Sequence, residues 1–366
     1  MTEEDRPAAG PVSWPRVGAL VLAGCAAAAL GTLLPAGPAL ESWYLAFVTA
    51  FGLSVGSLAL LMFGHIMGED WLDPVRSAAE AASRTVPLLV VFALPLAFRL
   101  PELFAWAGPA PPGGLTSAER GLLQPGPFLL RAGVFLAVWS ALAYWITGSR
   151  RPRRASAVGI AILAVTVDFA TLDWVLSREP LFRSGLYPFA FAMTQLLAAL
   201  AGAILVSLGR GQAPEAFRMV SLERALIVLI LLALWTWFAQ FLIVWLANLP
   251  DEAAWYLRRS AAWPWLVLLV GAVAALGVAL LILVPVGTGP RIIMVGAGLA
   301  LAAHGAFMVW LLRPAAPALG LTLWDLGVPS LLALLWGIWF AAALRRRPHE
   351  PSGQGQAGTS SAGAAV

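Results

Sequence analysis

The side chains able to do chemistry in this sequence are few, and they stand in apolar surroundings. Asp168 and Asp173 lie in GIAILAVTVDFATLDW (159–174), and His304 lies in GLALAAHGAFMVW (298–310). An ionisable group at mid-bilayer costs a few kcal/mol or more, so each is a functional candidate by default. Asp168 reads either as a proton-relay carboxylate, or acceptor for a quinol hydroxyl, or as a packing carboxylate satisfied by a neighbouring helix. Thr171 shares its helix face at i+3. Asp173, beside Trp174, is a place to receive a quinol head group, or it caps the outer helix end or pairs with Arg178. His304 has the near-neutral pKa of a proton carrier; its bland alternative is a neutral imidazole bonded to a backbone carbonyl. Gln195 and Gln240 read as hydrogen-bonding bridges between helices. Glu80 and Glu223 each open a helix on the arginine-rich side, where they collect protons or pair with nearby Arg. A relay built from these residues runs from Glu80 or Glu223 through His304 and Gln240 to Asp168.

Other chemistry is excluded. His65 and His304 differ in depth by roughly 20 Å on helix-rise arithmetic, so they do not ligate one haem. His349 falls in the tail. A lone Cys25 allows no disulfide, iron–sulfur cluster or CxxCH haem attachment. No nucleophile motif, phosphate loop or metal-spaced cluster occurs, so no catalytic or metal-ligating residue is assigned.

The elements that must position these groups follow from composition. Of 366 residues, 60% are hydrophobic and 11% charged, with a mean hydropathy of +0.83. A soluble chain is nearer 45–50% apolar and about 25% charged. The chain is therefore expected to be an all-α, polytopic membrane protein, and a soluble enzyme or nucleic-acid binder is excluded. Spans of roughly 20 apolar residues occur at 17–34, 44–67, 85–106, 127–147, 155–176, 186–208, 223–247, 263–285, 290–312 and 326–344. That gives about ten transmembrane helices between a cytoplasmic N-terminus (1–16) and a disordered cytoplasmic tail (345–366). Acidic Glu3, Glu4 and Asp5 argue against the first span being a cleaved signal peptide.

All 23 basic residues are Arg. Fifteen of them fall on one side: Arg6, Arg16, Arg76, Arg84, Arg150, Arg151, Arg153, Arg154, Arg210, Arg218, Arg224, Arg291 and Arg345–Arg347. That side is expected to be cytoplasmic in a bacterial inner membrane, both termini included. Residues 68–84 read as a short amphipathic surface helix opened by Pro74, with Trp71 at headgroup level, and 107–126 as a periplasmic loop. Trp235, Trp237 and Trp245 read as helix packing. The second span and its loop weakly echo the sixth span followed by 209–224, which hints at duplicated four-helix units.

Three stretches carry a more particular likeness. They are MFGHIMGEDWLDPVRSAAEAASRTVPLL (62–89), TLDWVLSREPLFRSGLYPFAFA (171–192) and WTWFAQFLIVWLANLPDEAAWYLRR (235–259). Together they resemble the NrfD-like membrane subunits of bacterial alternative complex III, a quinol:cytochrome c oxidoreductase, and most nearly its second such subunit. In the third stretch Phe238, Gln240, Phe241, Ile243, Trp245, Ala247–Pro250, Asp251, Glu252, Trp255, Tyr256 and Arg258 fit the family pattern. In the second, Asp173, Trp174, Ser177, Glu179, Pro180 and Ser184 fit. Leu176, Arg178, Leu181 and Phe182 depart from it, on the rim where a partner would dock.

The resemblance implies two four-helix bundles, spans 2–5 and 6–9, flanked by further helices. It implies a chain with no cofactor of its own, beside a related quinol-binding membrane subunit and under periplasmic iron–sulfur and haem c subunits. The second subunit is a candidate for proton conduction. Alternatives are a quinol-binding subunit, an assembly factor or orphan paralogue, and a stand-alone secondary transporter; parallel rather than inverted repeats count against the last.

Overall fold

The computed structural model describes residues 22–345, less 23, 27, 28, 36, 69, 70, 212, 213, 263, 284–289 and 316–321. The N-terminus at 1–16, much of the first expected span and all but one residue of the expected disordered tail lie outside the described residues. The described chain is helical, without strands: α1 (Pro38–Met67), α2 (Arg76–Ser83), α3 (Leu88–Phe98), α4 (Pro125–Gly148), α5 (Pro152–Trp174), α6 (Tyr187–Gly209), α7 (Ala216–Ala247), α8 (Pro250–Ala262), α9 (Pro264–Leu283), α10 (Pro290–Leu312) and α11 (Trp324–Leu344), with short turns between. Proline sets the helix starts: α1, α4, α5, α8, α9 and α10 all begin with it. At that position its missing N–H has no intrahelical partner to lose. Asn248 ends α7 with φ 48° and Pro250 opens α8, so the ANLP segment is a helix stop followed at once by a helix start.

Seven helices are long and apolar enough to cross a bilayer: α1, α4, α5, α6, α7, α10 and α11. Helices α2 and α3, bent by 41° at their junction, make an eighth if taken as one broken span. Gly24–Leu33 and Leu269–Ile282, the latter within α9, are apolar but shorter. This is a polytopic all-α membrane protein with seven or eight long apolar helices among the described residues, against the ten spans expected. The third expected span shortens because Arg99 leaves helical geometry (φ −119°, ψ 31°) and its guanidinium turns to the Leu34 carbonyl, 2.6 Å away.

α1 is the axis of the molecule. It packs on α2, α3, α5, α6 and α11, while α6 also packs on α7 and α10, and α10 on α9. One apolar core joins α1, α3, α4 and α5 and takes in residues of α6, α7, α8, α10 and α11 as well; a second joins the far end of α1 with α2, α6, α7 and α10. The expected surface helix at 68–84 is corrected here. α2 buries Ala78, Ala79, Ala81, Ala82 and Ser83 against α1, α6 and α11, and Trp71 is buried too. Its small residues let it lie close beneath those helices, which an amphipathic pattern alone does not reveal.

Candidate functional site

Ionised groups gather where α1, α6 and α11 begin and α5, α7 and α10 end. Arg178, in the turn after α5, donates to both Glu41 oxygens on α1 at 2.6 and 2.8 Å and lies over the Tyr44 ring. Next to it Glu179 accepts from Arg258 and Arg259 of α8. Arg259 also donates to the Leu311 carbonyl of α10 and stacks on Trp255, 3.4 Å from the ring centroid. Asp325, in the first turn of α11, accepts from Arg313 at 2.7 Å, from Ser42 of α1 at 2.7 Å, and from Thr322. Charges this far removed from water persist because each is paired and hydrogen-bonded. Sequence reasoning missed Glu41, Arg313 and Asp325: each sits at the edge of an apolar run, where a single charge reads as a boundary.

Asp173 is held by a two-pronged bond from Arg131 of α4, at 2.7 and 2.9 Å, and not by Arg178 as the sequence allowed. Arg178 is turned away by its pairing with Glu41. Trp174 takes part through its carbonyl, which accepts from Tyr44 Oη at 2.9 Å, and through its ring, which meets Phe47, Phe51 and Trp139. A cavity of about 50 Å³ opens beside it, lined among others by Tyr44, Phe104, Phe128 and Trp174.

His304 lies on α10, 4% exposed, and among the described residues neither ring nitrogen has a hydrogen-bond partner. It faces a chamber of about 90 Å³ enclosed by α6, α7, α9 and α10, whose walls include Thr194, Ala233, Trp237 and Phe307. Gln240 is wholly buried and accepts from Ser184 Oγ at 2.6 Å, leaving its amide nitrogen unmatched. It therefore ties α7 to the turn before α6. Gln195 reaches Met308 Sδ across α6 and α10 at 3.6 Å, and its oxygen is unmatched.

The remaining relay candidates are placed elsewhere. Glu80 is half-buried on α2 and Glu223 buried on α7; among the described residues neither makes an ion pair or a side-chain hydrogen bond. The expected pairing with Arg is absent there. Asp168 was expected inside a bundle, and this is corrected: it is exposed on the outer surface of α5, without a partner among the described residues, while Thr171 on the same helix is buried. Helix α5 buries Leu163, Ala170 and Thr171, and the 100° step per residue swings Asp168 clear of that stripe. Asp168 is thus not brought together with His304 or Gln240. Trp235 and Trp245 also face outward, at 65% and 69% exposure, whereas Trp237 packs inside and donates to Thr194 Oγ1 at 2.8 Å.

His65, at the other end of α1, bonds to Ser156 and to Arg76, each at 3.0 Å. No group of three or more His, Cys, Asp or Glu side chains placed to hold a metal occurs among the described residues. No family model matches the chain, and no curated protein matches it.

Proposed function

We propose that the chain is an integral membrane subunit, without a cofactor of its own, of a quinol-oxidising respiratory complex. Its role there is structural, with proton conduction assigned to Glu80, Glu223, His304 and Gln240. The likeness of residues 62–89, 171–192 and 235–259 to the NrfD-like subunits of alternative complex III is what points to such a complex. The observation that carries the subunit reading is Asp168. A carboxylate on the outer surface of a spanning helix is costly against hydrocarbon, and a neighbouring membrane subunit offering a donor removes that cost. In this reading Asp168 serves the contact between subunits, and the conduction path omits it. The partners are a related NrfD-like membrane subunit and periplasmic iron–sulfur and haem c subunits. The arginine-rich side, both termini included, faces the cytoplasm of a bacterial inner membrane.

The test is purification of the chain from its native membrane in mild detergent. The expected result is a large assembly with c-type haem absorbance and quinol oxidation. A chain that runs alone, with no redox-active companion, overturns the proposal.

The cavity beside Trp174 favours a second reading, in which the chain itself receives a quinol ring near Asp173 and Trp174. A photoactivatable quinone analogue then labels α1, α3 or α4; labelling of the neighbouring subunit alone dismisses this reading.

A further inference from the structure

We infer that the chamber before His304 is a binding site for a membrane-borne molecule with a hydroxyl head and an apolar tail, admitted from the hydrocarbon layer between α7 and α9. The first ground is the imidazole. His304 is buried on the chamber wall with both nitrogens unmatched among the described residues, a state that carries the desolvation cost of a buried donor and a buried acceptor with nothing to offset it. A hydroxyl repairs it from either direction, donating to the bare nitrogen or accepting from the protonated one.

The second ground is what else the wall offers. At about 90 Å³ the chamber has room for several waters, and each buried water needs 2–4 polar partners. Apart from His304, the polar atoms are Thr194 Oγ1 and Trp237 Nε1. These are bonded to each other at 2.8 Å, and the Thr194 hydroxyl already donates to the Ala190 carbonyl. Water alone therefore fills the chamber badly, whereas a molecule with one polar atom and an apolar body fits it.

The third ground is access. Leu234 on the chamber rim is 41% exposed, and Val270 opposite it on α9 is half-buried. The opening thus faces the bilayer core, not an aqueous surface. His304 lies eight residues before the end of α10, roughly 12 Å below it, within the apolar layer. The chamber is smaller than the roughly 150 Å³ apolar cavity that takes up benzene. It therefore holds the hydroxyl end while the tail lies in the seam between α7 and α9. Occupancy fills the space through which a proton would pass His304, so ligand binding and conduction there exclude each other. The site itself stands whether or not the chain belongs to a respiratory complex.

Two sources share this chemistry, prenylated phenols and long-chain alcohols, and two probes separate them. Full-length protein in phosphatidylcholine nanodiscs is illuminated with a diazirine-bearing alkylphenol, a diazirine-bearing hexadecanol, or the matching hydrocarbon without a hydroxyl. Labelling of α7, α9 and α10 around the chamber is expected with one or both hydroxylated probes, and about tenfold less with the hydrocarbon. His304→Phe and, independently, Leu234→Trp at the rim are expected to lower it to a similar extent. Leu234 is exposed, so that variant folds even if the first does not. Shift of the His304 imidazole ¹⁵N resonance on titrating the unmodified alkylphenol supplies a readout on the wild-type chain. Labelling spread evenly over outward-facing helices, equal labelling by the hydrocarbon, or indifference to Leu234→Trp and to the titration overturns the inference.

Discussion

Glu41 and Arg178 are both nearly inaccessible, at 5% and 3% side-chain exposure, and meet through two short bonds. Removing one partner from such a pair strands the other charge, whereas replacing both with apolar groups is often close to neutral. Glu41→Leu or Arg178→Leu alone is therefore expected to destabilise the chain by about 3 kcal/mol, and the double variant by about 1 kcal/mol or less. Denaturant-induced unfolding in detergent measures the cycle, and equal losses in all three variants would contradict it. Arg178, which stands in the sequence as a charge after an apolar run, is answered inside the molecule by Glu41. That answer was not legible beforehand: the partners stand 137 residues apart, and neither shows which way it points. Asp173 was legible as a polar site because it interrupts an apolar run, but its partner Arg131 was not.

Helix pairs are decided by small residues that sequence scanning passes over. A Cβ on Gly56 of α1 would stand 2.7 Å from the Gln195 backbone oxygen of α6, whereas one on Gly133 of α4 would meet nothing within 4 Å. Gly56→Val is therefore expected to cost about 1–3 kcal/mol by forcing the two helices apart. Gly133→Val should lie within about 0.5 kcal/mol of wild type. Thermal unfolding of both in the same detergent is the comparison, and equal effects would refute the close approach.

The turn at Ser117–Leu122 offers a pH test outside the spans. Hydrogen bonds from Arg183 and then from Thr116 hold the Glu119 carboxyl down at about 2, below its ordinary 4.5. A group whose folded pKa is depressed stabilises fully above its unfolded value and loses that effect as pH falls through the folded one. Protease resistance of the 113–122 segment is expected to be constant above pH 5 and to fall between pH 4.5 and about 2. Glu119→Gln should show the weakened state at neutral pH, and a variant as resistant as wild type would rule the contact out as a clasp. Reading 107–126 as a loop passed over both the Thr116–Glu119 capping box and its closure by Arg183 from a distant turn.

Over the whole molecule, the apolar runs announce the spans because bilayer thickness sets their length. The inward face of each span stays hidden, because a nearly uniform apolar composition carries no direction. Asp168 shows the consequence: its depth was readable, its outward orientation was not. Because it makes no bond among the described residues, Asp168→Asn should leave the isolated protein within about 0.5 kcal/mol of wild type. In the proposed assembly it should weaken the hold on the neighbouring subunit, measured by native mass spectrometry. Loss of stability in the isolated chain would show that the residue serves the fold instead.

The contact of α11 with α1 bears on synthesis. Ser42 bonds to Asp325, Ser54 accepts from Trp336 Nε1 and the Arg84 carbonyl from Trp339 Nε1. A ribosome still short of Trp336 has therefore delivered an early helix into the membrane whose Ser42 and Ser54 hydroxyls hold only the Pro38 carbonyl and Thr85, the part of their bonding that α11 supplies being still unmade. The nascent chain cannot close its structure span by span, and a product cut off before the last helix leaves the side of α1 that α11 packs on uncovered, and open to the cell's membrane proteases.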